Sequence, residues 1–408
     1  MDLSPQIIDP TRYPKWDELL LRTPGASFFH SSGWAKVLAE SYGYTPLYFT
    51  VLENGKLRAL VPMMEVNSFL TGKRGVSLPF TDYCEPIIEE GIEFQELLNP
   101  IIDHGKKNGW KYIELRGGEK YLRNQESGVR IQDSKLSPQS SVLITASSGS
   151  RDLNPESCVL SPGGLPNNDS LNPQCEGSTP YTLHPTPCPF VTYLGHTLDL
   201  TKGEKALYSG LRDSTRRNIK KAEKEKVEVR IEKSGEAMSE FCRLNRLTRR
   251  EHGLPPQPYY FFEQVHRDII SKDSGFIALA YLQGKAIAGN VYFHFGDQGI
   301  YKYGASDRKY QEQRANNLVM WQAIKWFTGR DFKSFCLGRT ELGNEGLRQF
   351  KGGWGPEEHQ IQYFKYDLRQ GAFVPGRQKG EPFYIGIFRH VPGPVLNLIG
   401  SLLYKHIG

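Results

Sequence analysis

Two stretches of this 408-residue chain carry the same succession of hydrophobic patterns. In the first, SSGWAKVLAESYG after Ser31 predicts a helix, and the alternating PLYFTVL and LRALVPMMEV predict two strands. The intervening Glu53-Asn54-Gly55-Lys56 carries the Asn-Gly signal of a tight hairpin. A helix (FQELLNPIIDHGKKNG) and a strand (KYIELR) follow. In the second, a helix around PYYFFEQVHRDII precedes GFIALAYL, AIAGNVYFHF and GIYKYGAS, three strands parted by turns at Gln283-Gly284-Lys285 and Gly296-Asp297. The helix NNLVMWQAIKWFTGR and the strand FKSFCLG then complete the plan. One supersecondary order, helix, antiparallel meander, helix, strand, is thus used twice. It predicts an α/β (α+β) fold with mixed, mainly antiparallel sheets, in which the last strand of each half runs beside an earlier one and ligands favour the opening created there.

Composition divides the chain further. From about Asn124 to Phe190 it turns rich in Ser, Pro, Asn and Gly with no sustained period, and such a stretch buries too little apolar surface to offset its ordering entropy. The expected organisation is therefore an N-terminal domain over 1–123, a disordered insertion over 124–190, a C-terminal domain over 191–370 and an amphipathic tail over 371–408. Hydrophobic residues make up 38% and charged residues 24%, which fits a soluble protein, and no apolar run reaches the roughly 18 residues of a membrane span. The start, MDLSPQIIDPTRYPKW, lacks the basic and apolar regions of a secretory signal, so a cytoplasmic location is expected. Six cysteines form no CxxC pair and sit at no zinc spacing, so no metal is expected. Cys158, Cys175 and Cys188 with His184 would be a metal or partner loop only if the insertion were more than a tolerated surface segment. The net charge of +6 is mild; it suits an anionic substrate or a membrane surface and falls short of a dedicated duplex-DNA binder.

The basic residues are clustered. In ALYSGLRDSTRRNIKKAEK, Leu207, Leu211, Thr215, Ile219 and Ala222 mark the apolar stripe of a helix. Arg212, Arg216 and Lys220 form a second row, beside Arg217 and Lys221. Like charges at i,i+4 repel by a few tenths of a kcal/mol per pair, so the row calls for a phosphate or diphosphate, or for the nearby Glu223, Glu225 and Glu228. A second cluster is FCLGRTELGNEGLRQFKGGWG. Arg339 lies just past a strand end at Gly338, and Lys351 comes twelve residues later after a short helix, so both are expected to face one cleft. The plain alternative is that Phe350 and Trp354 pack at i,i+4 and the charges edge the sheet. Tyr301 and Tyr303 alternate on one strand and are expected to face the same side, with Ser306 and Asp307 at its end. Asn316 and Asn317 open the next helix, where exposed N–H groups favour an anion. In the tail, Val395, Leu396, Leu398, Ile399, Leu402 and Leu403 form an apolar face flanked by Arg389, His390, Lys405 and His406, suited to docking on the body or to lying in a membrane interface.

The strings LRDSTRRNIKKAEKEKVEV, LTRREHGLPPQPYYFFE, IYKYGASD, NNLVMWQAIKWF and LGRTELGNEGLRQFKGGWG, in that order, closely resemble the FemAB family of peptidoglycan-bridge aminoacyltransferases. They are equally similar to related GNAT-type, BioF2-like acyltransferases of envelope and exopolysaccharide systems. SLPFTDYCEPI and YIELR extend the match into the first half, so the resemblance covers the chain except the insertion. It implies two tandem GNAT-like (acyl-CoA N-acyltransferase) domains and transfer of an acyl or aminoacyl group to an amine of a peptidoglycan peptide or exopolysaccharide sugar. The co-substrate would be aminoacyl-tRNA or acyl-CoA, with no bound cofactor. The implied partner is an anionic, lipid-linked or nucleotide-linked envelope precursor; for a lipid-linked one, the amphipathic tail would suit peripheral contact at the inner membrane face, with docking on the body as the alternative. The family pattern treats Lys351, Trp354 and Gly355 as characteristic. Lys351, Tyr303 and Arg339 are accordingly the catalytic candidates; Arg212, Arg216, Arg217, Lys220, Tyr301, Ser306, Asn317 and Trp354 are the substrate-binding ones. Two departures stand out: Gln313-Arg314-Ala315-Asn316-Asn317 has none of the glycines with which acyl-CoA enzymes grip a pyrophosphate, and Cys336 stands where relatives commonly carry Asp. The rival function is a non-catalytic module that binds a carrier or polysaccharide for an envelope assembly complex.

Overall fold

A computed structural model describes residues 5–123, 187–376 and 391–407. Most of the Ser/Pro/Asn/Gly-rich insertion, with Cys158, Cys175 and His184, lies outside the described residues, as do Arg389 and His390 of the tail.

The first half contains β1 (Gln6–Ile8), α1 (Trp16–Leu21), α2 (Ser32–Tyr42), β2 (Thr45–Glu53), β3 (Lys56–Val66), β4 (Arg74–Val76), β5 (Ile87–Ile88), α3 (Phe94–Lys107), β6 (Tyr112–Leu115) and α4 (Glu119–Arg123). The second half contains β7 (Val191–Asp199), α5 (Gly203–Gly210), α6 (Asp213–Lys224), β8 (Glu228–Glu232), α7 (Gly235–Glu251), α8 (Tyr259–Asp268), β9 (Gly275–Leu282), β10 (Lys285–Phe295) and β11 (Gln298–Ser306). It continues through α9 (Ala315–Thr328), β12 (Ser334–Cys336), β13 (Thr340–Glu341), α10 (Glu345–Gly352), β14 (Glu357–Asp367), β15 (Ala372–Phe373) and the tail helix α11 (Gly393–Ile407). The hairpin between β2 and β3 turns through Asn54 (φ 49°) and Gly55 (φ 76°), the left-handed pair that an Asn-Gly turn supplies at little steric cost.

The repeated plan is visible in the pairings. Among the described residues every strand pair is antiparallel except β4 with β6 and β11 with β12, and each of those two parallel pairs is joined through a helix, α3 or α9. The chain is therefore α/β with one mixed, mainly antiparallel sheet system. β14 joins its two parts: Glu357–Tyr363 pair with β7, and Phe364–Asp367 pair with β6.

The halves also share a core. Phe28 stacks on Phe293 with ring centroids 4.5 Å apart, and Trp34 meets Phe261 edge-on at 6.3 Å. Beside them Lys36 binds the buried Asp268 carboxylate at 2.9 Å, with Arg267 and Lys272 also on it. A second core lies on the far face of β9–β11, under α9 and α6. The apolar stripe read from sequence is buried there at Leu207, Leu211, Thr215, Ile219 and Ala222. It is carried on two helices, because the backbone is extended at Leu211 and Arg212.

Candidate functional site

β11 and β12 run side by side only from Gln298–Ile300 against Ser334–Cys336; beyond Ile300 the paired register ends. Where it ends, β11 carries a bulge: Val291 faces Tyr303 and Tyr292 faces Tyr301, which leaves Lys302 as an extra residue. The bulge reverses the side-chain alternation. Tyr301 drops into the core beneath α9, while Tyr303 lies in the core shared by the two halves. The expectation that both rings face one side is thereby corrected.

Lys302, on the Tyr303 side, is 2% exposed, and its ammonium ion sits 3.2 Å from the Asp82 carboxylate of the first half. Its Nζ lies 5.2 Å from the Phe29 ring centre and 5.5 Å from that of Tyr303. A few ångströms on, the Tyr363 hydroxyl donates to the backbone carbonyl of Asp82 at 2.7 Å and accepts from Arg339 Nη1 at 2.6 Å. The Arg339 guanidinium lies over Tyr193 at 4.2 Å from the ring centre, and Arg116 lies over Tyr363 at 5.4 Å. Arg116 is anchored by Glu114 at 2.9 Å and by the carbonyl of Leu78. Burial opposes the charge on Arg339, but Tyr363, Tyr193 and Asp82 outweigh it and raise the pKa. For Arg116, burial is likewise outweighed, by Glu114 and Tyr363. Three basic side chains, Arg116, Lys302 and Arg339, thus meet at the seam of the halves around Asp82, with Glu114 on the outer flank. Glu341 faces Arg339; burial pushes its carboxyl above the ordinary range and Arg339 draws it back only in part. Such a concentration of charge in a low-dielectric seam is costly without a ligand or internal partners.

The remaining candidates fall in different places. Lys351 is fully buried on α10, and its Nζ donates to the carbonyls of Gly338 (3.1 Å) and Arg339 (2.8 Å). It tethers the turn that presents Arg339, which corrects the expectation that its own ammonium faces an open cleft. Trp354 is 1% exposed and packs edge-on against Phe350 at 6.0 Å in the core under α9, so the i,i+4 packing alternative holds and the ring is no substrate surface. Tyr303 is wedged between Phe261 and Phe262; burial raises its hydroxyl well above the usual range, so it stays protonated at neutral pH. Ser306 and Asn317 are both buried, the first with its backbone bonded to the Thr248 hydroxyl and the second in the opening turn of α9. Neither presents a polar group on the surface.

On α6 the basic row is outside. Arg212 reaches the carbonyl of Gln349 at 3.4 Å on α10, and its backbone N–H bonds to Gly353. Arg216 turns back on Ser209 and Asp213; Arg217 and Lys220 are exposed. The basic residues of the two sequence clusters are therefore separated: those of α6 lie on the outside, whereas Arg339 lies at the seam with Arg116 and Lys302. Among the described residues no group of His, Cys, Asp and Glu is arranged to hold a metal ion. Cys336 is half-buried, and its sulfur accepts from the N–H of Gly338 at 3.4 Å.

Residues 209–352 match the GNAT acetyltransferase domain family. The second half carries a GNAT-type acyltransferase domain. The chain shares its fold with FemX, at a TM-score of 0.56 and 13% identity, over 87% of this chain and 95% of that one. It also aligns with a conserved protein of unknown function from Bacteroides thetaiotaomicron (TM-score 0.50, 9% identity, 88% and 98% covered). L-PGS from Bacillus licheniformis aligns at a TM-score of 0.48 with 13% identity, 95% and 97% covered. No curated protein sequence matches it. The resemblance to GNAT-type acyltransferases thus holds in the domain match over the second half, and the fold of the chain is that of FemX.

Proposed function

We propose that this acyltransferase moves an acyl or aminoacyl group onto an amine of an anionic cell-envelope precursor held at the seam between its halves. The observation that carries the reading is the Arg116–Lys302–Arg339 cluster around Asp82, built from both halves beside the point where β11 and β12 part. The Arg339 guanidinium spends Nη1 on the Tyr363 hydroxyl and rests on Tyr193, a planar fork suited to binding a phosphate. In the transfer, the amine nitrogen attacks the carbonyl carbon of an ester or thioester. A new C–N bond forms, the C–O or C–S bond breaks, and the amine proton passes through a base to the leaving oxygen or sulfur. Glu341 is our candidate for that base, since it faces Arg339 at the seam and burial raises its carboxyl above the ordinary range. Lys351 acts as a positioning residue that fixes the Gly338–Arg339 turn.

Two features favour aminoacyl-tRNA as donor over acyl-CoA held in the ordinary manner. The α9 start has no glycine, and Ala315 and Asn317 are buried there. The acceptor class, peptide or amino sugar, follows from the sequence resemblance. Mass spectrometry of reactions pairing aminoacyl-tRNA or acyl-CoA with nucleotide-linked muramyl-peptide and amino-sugar acceptors tests the reading. An acceptor heavier by one acyl or aminoacyl group is expected, with the rate lowered by about 100-fold or more in Glu341→Gln. Binding of the acceptor without product under every donor would leave a carrier-binding module and overturn the enzyme reading.

A further inference from the structure

Large apolar side chains exposed on this protein are not scattered. Among the described residues twelve are exposed, and seven of these lie along α11 and its immediate neighbours. α11 docks through Leu396, Gly400 and Tyr404, with Gly400 set so closely on the carbonyl of Pro256 that a Cβ there would lie 2.1 Å from it. The expected continuous apolar face is therefore divided: one row packs on the body, and Val395, Leu398 and Leu402 point outward at 48%, 59% and 54% exposure. At the C-terminal end of the helix, Phe69 stands 82% exposed with its ring 4.5 Å from that of His406, and Leu70 is beside it. At the other end, Leu398 shares the rim of a cavity of about 360 Å³ with Tyr259 and Tyr260, both nearly half exposed. The apolar row thus runs the length of α11, about 22 Å at 1.5 Å per residue for its 15 residues.

Cations lie at both ends of this row, with the exposed Glu263 set one turn beyond Tyr259. α11 contains no carboxylate, and its exposed charged residue is Lys405. The cavity rim carries Arg246 and no acidic residue. An exposed row of valine, leucine and phenylalanine with tyrosines and cations at its margin fits the boundary between acyl chains and anionic headgroups. No helix among the described residues is long and apolar enough to cross a membrane, so the contact would be lateral.

We propose that α11 and the Phe69–Leu70 loop form one docking surface for an anionic lipid bilayer. The inference goes beyond the transfer reading and does not depend on it.

Co-sedimentation of the full chain with vesicles tests it, using phosphatidylcholine alone and phosphatidylcholine with roughly one-third phosphatidylglycerol. The wild-type chain is expected to sediment with the anionic vesicles. The variant Phe69→Ser/Leu398→Ser/Leu402→Ser should lose this binding by about tenfold or more, while its thermal midpoint stays close to wild type because all three side chains are already exposed. Arg246→Gln/Lys405→Gln should weaken binding several-fold at low salt. Failure of the wild type to bind anionic vesicles, equal binding to neutral ones, or wild-type binding by the triple variant would overturn the proposal. So would sedimentation velocity showing a dimer abolished by the triple variant without any vesicle binding, since the surface would then face a second copy.

Discussion

Lys302 shows how a single inserted residue creates a site. A regular β11 would turn its side chain away from Tyr303 and towards the core beneath α9; the bulge instead points it at Asp82. Both members of the pair are almost wholly shielded, so removing one strands the other. Asp82→Asn is expected to cost roughly 3–5 kcal/mol of stability, read from the urea midpoint, and Asp82→Asn/Lys302→Met should recover most of it. A single Asp82→Asn that unfolds like the wild type would show the pair to be solvated rather than buried. The signal for the first half's share of the site, Asp82 and Arg116, is present but unassigned: Asp82 stands in SLPFTDYCEPI and Arg116 directly follows YIEL, strings that carry the family resemblance. Arg339 was legible because it follows a strand end. The role of Lys351 was not, because sequence position gave no sign that its ammonium would be consumed by two backbone carbonyls.

The elements were more legible than the directions of their side chains. The hairpins, α3, α9 and the two parallel returns follow from alternation, turn residues and helical period, all of which are local. The bulge in β11 and the break between α5 and α6 are set by tertiary contacts, and both overrode the simple period. One short element also makes a pH prediction. His30 ends the 3-10 turn Phe28–His30; its Nδ1 accepts from the N–H of Ser27 at 3.1 Å, and its Nε2 donates to the carbonyl of Glu85 at 2.9 Å. That arrangement needs a neutral ring, and burial holds its pKa down to about 4 from 6.5. The folded value lies below the unfolded one, so the stability is complete above about pH 6.5 and is lost as pH falls from there towards 4. Burial likewise lowers His196 and His294 to about 4, so the three act in the same window. Denaturation midpoints should fall steeply over that range, and His30→Gln should remove about one proton's share of the slope, up to roughly 3 kcal/mol at pH 4. An unchanged slope in that variant would contradict the assignment.

At the scale of the molecule, neither half holds the site. Asp82 and Arg116 belong to the first, Lys302, Arg339 and Tyr363 to the second, and β14 carries Tyr363 at the residue where its pairing passes from β7 to β6. The junction is a packed core with Phe28, Trp34, Phe261 and Phe293 in it, so the cations are held at fixed separations rather than brought together by closure. The central claim is that this seam grips a negatively charged carrier. Calorimetric titration of the whole chain with a nucleoside-diphosphate-linked amino-sugar or muramyl-peptide precursor tests it most directly. The account predicts binding that weakens with added salt and falls by about tenfold or more in Arg339→Gln, with the fold intact by circular dichroism. Affinity that is insensitive to salt and unchanged in that variant would contradict it.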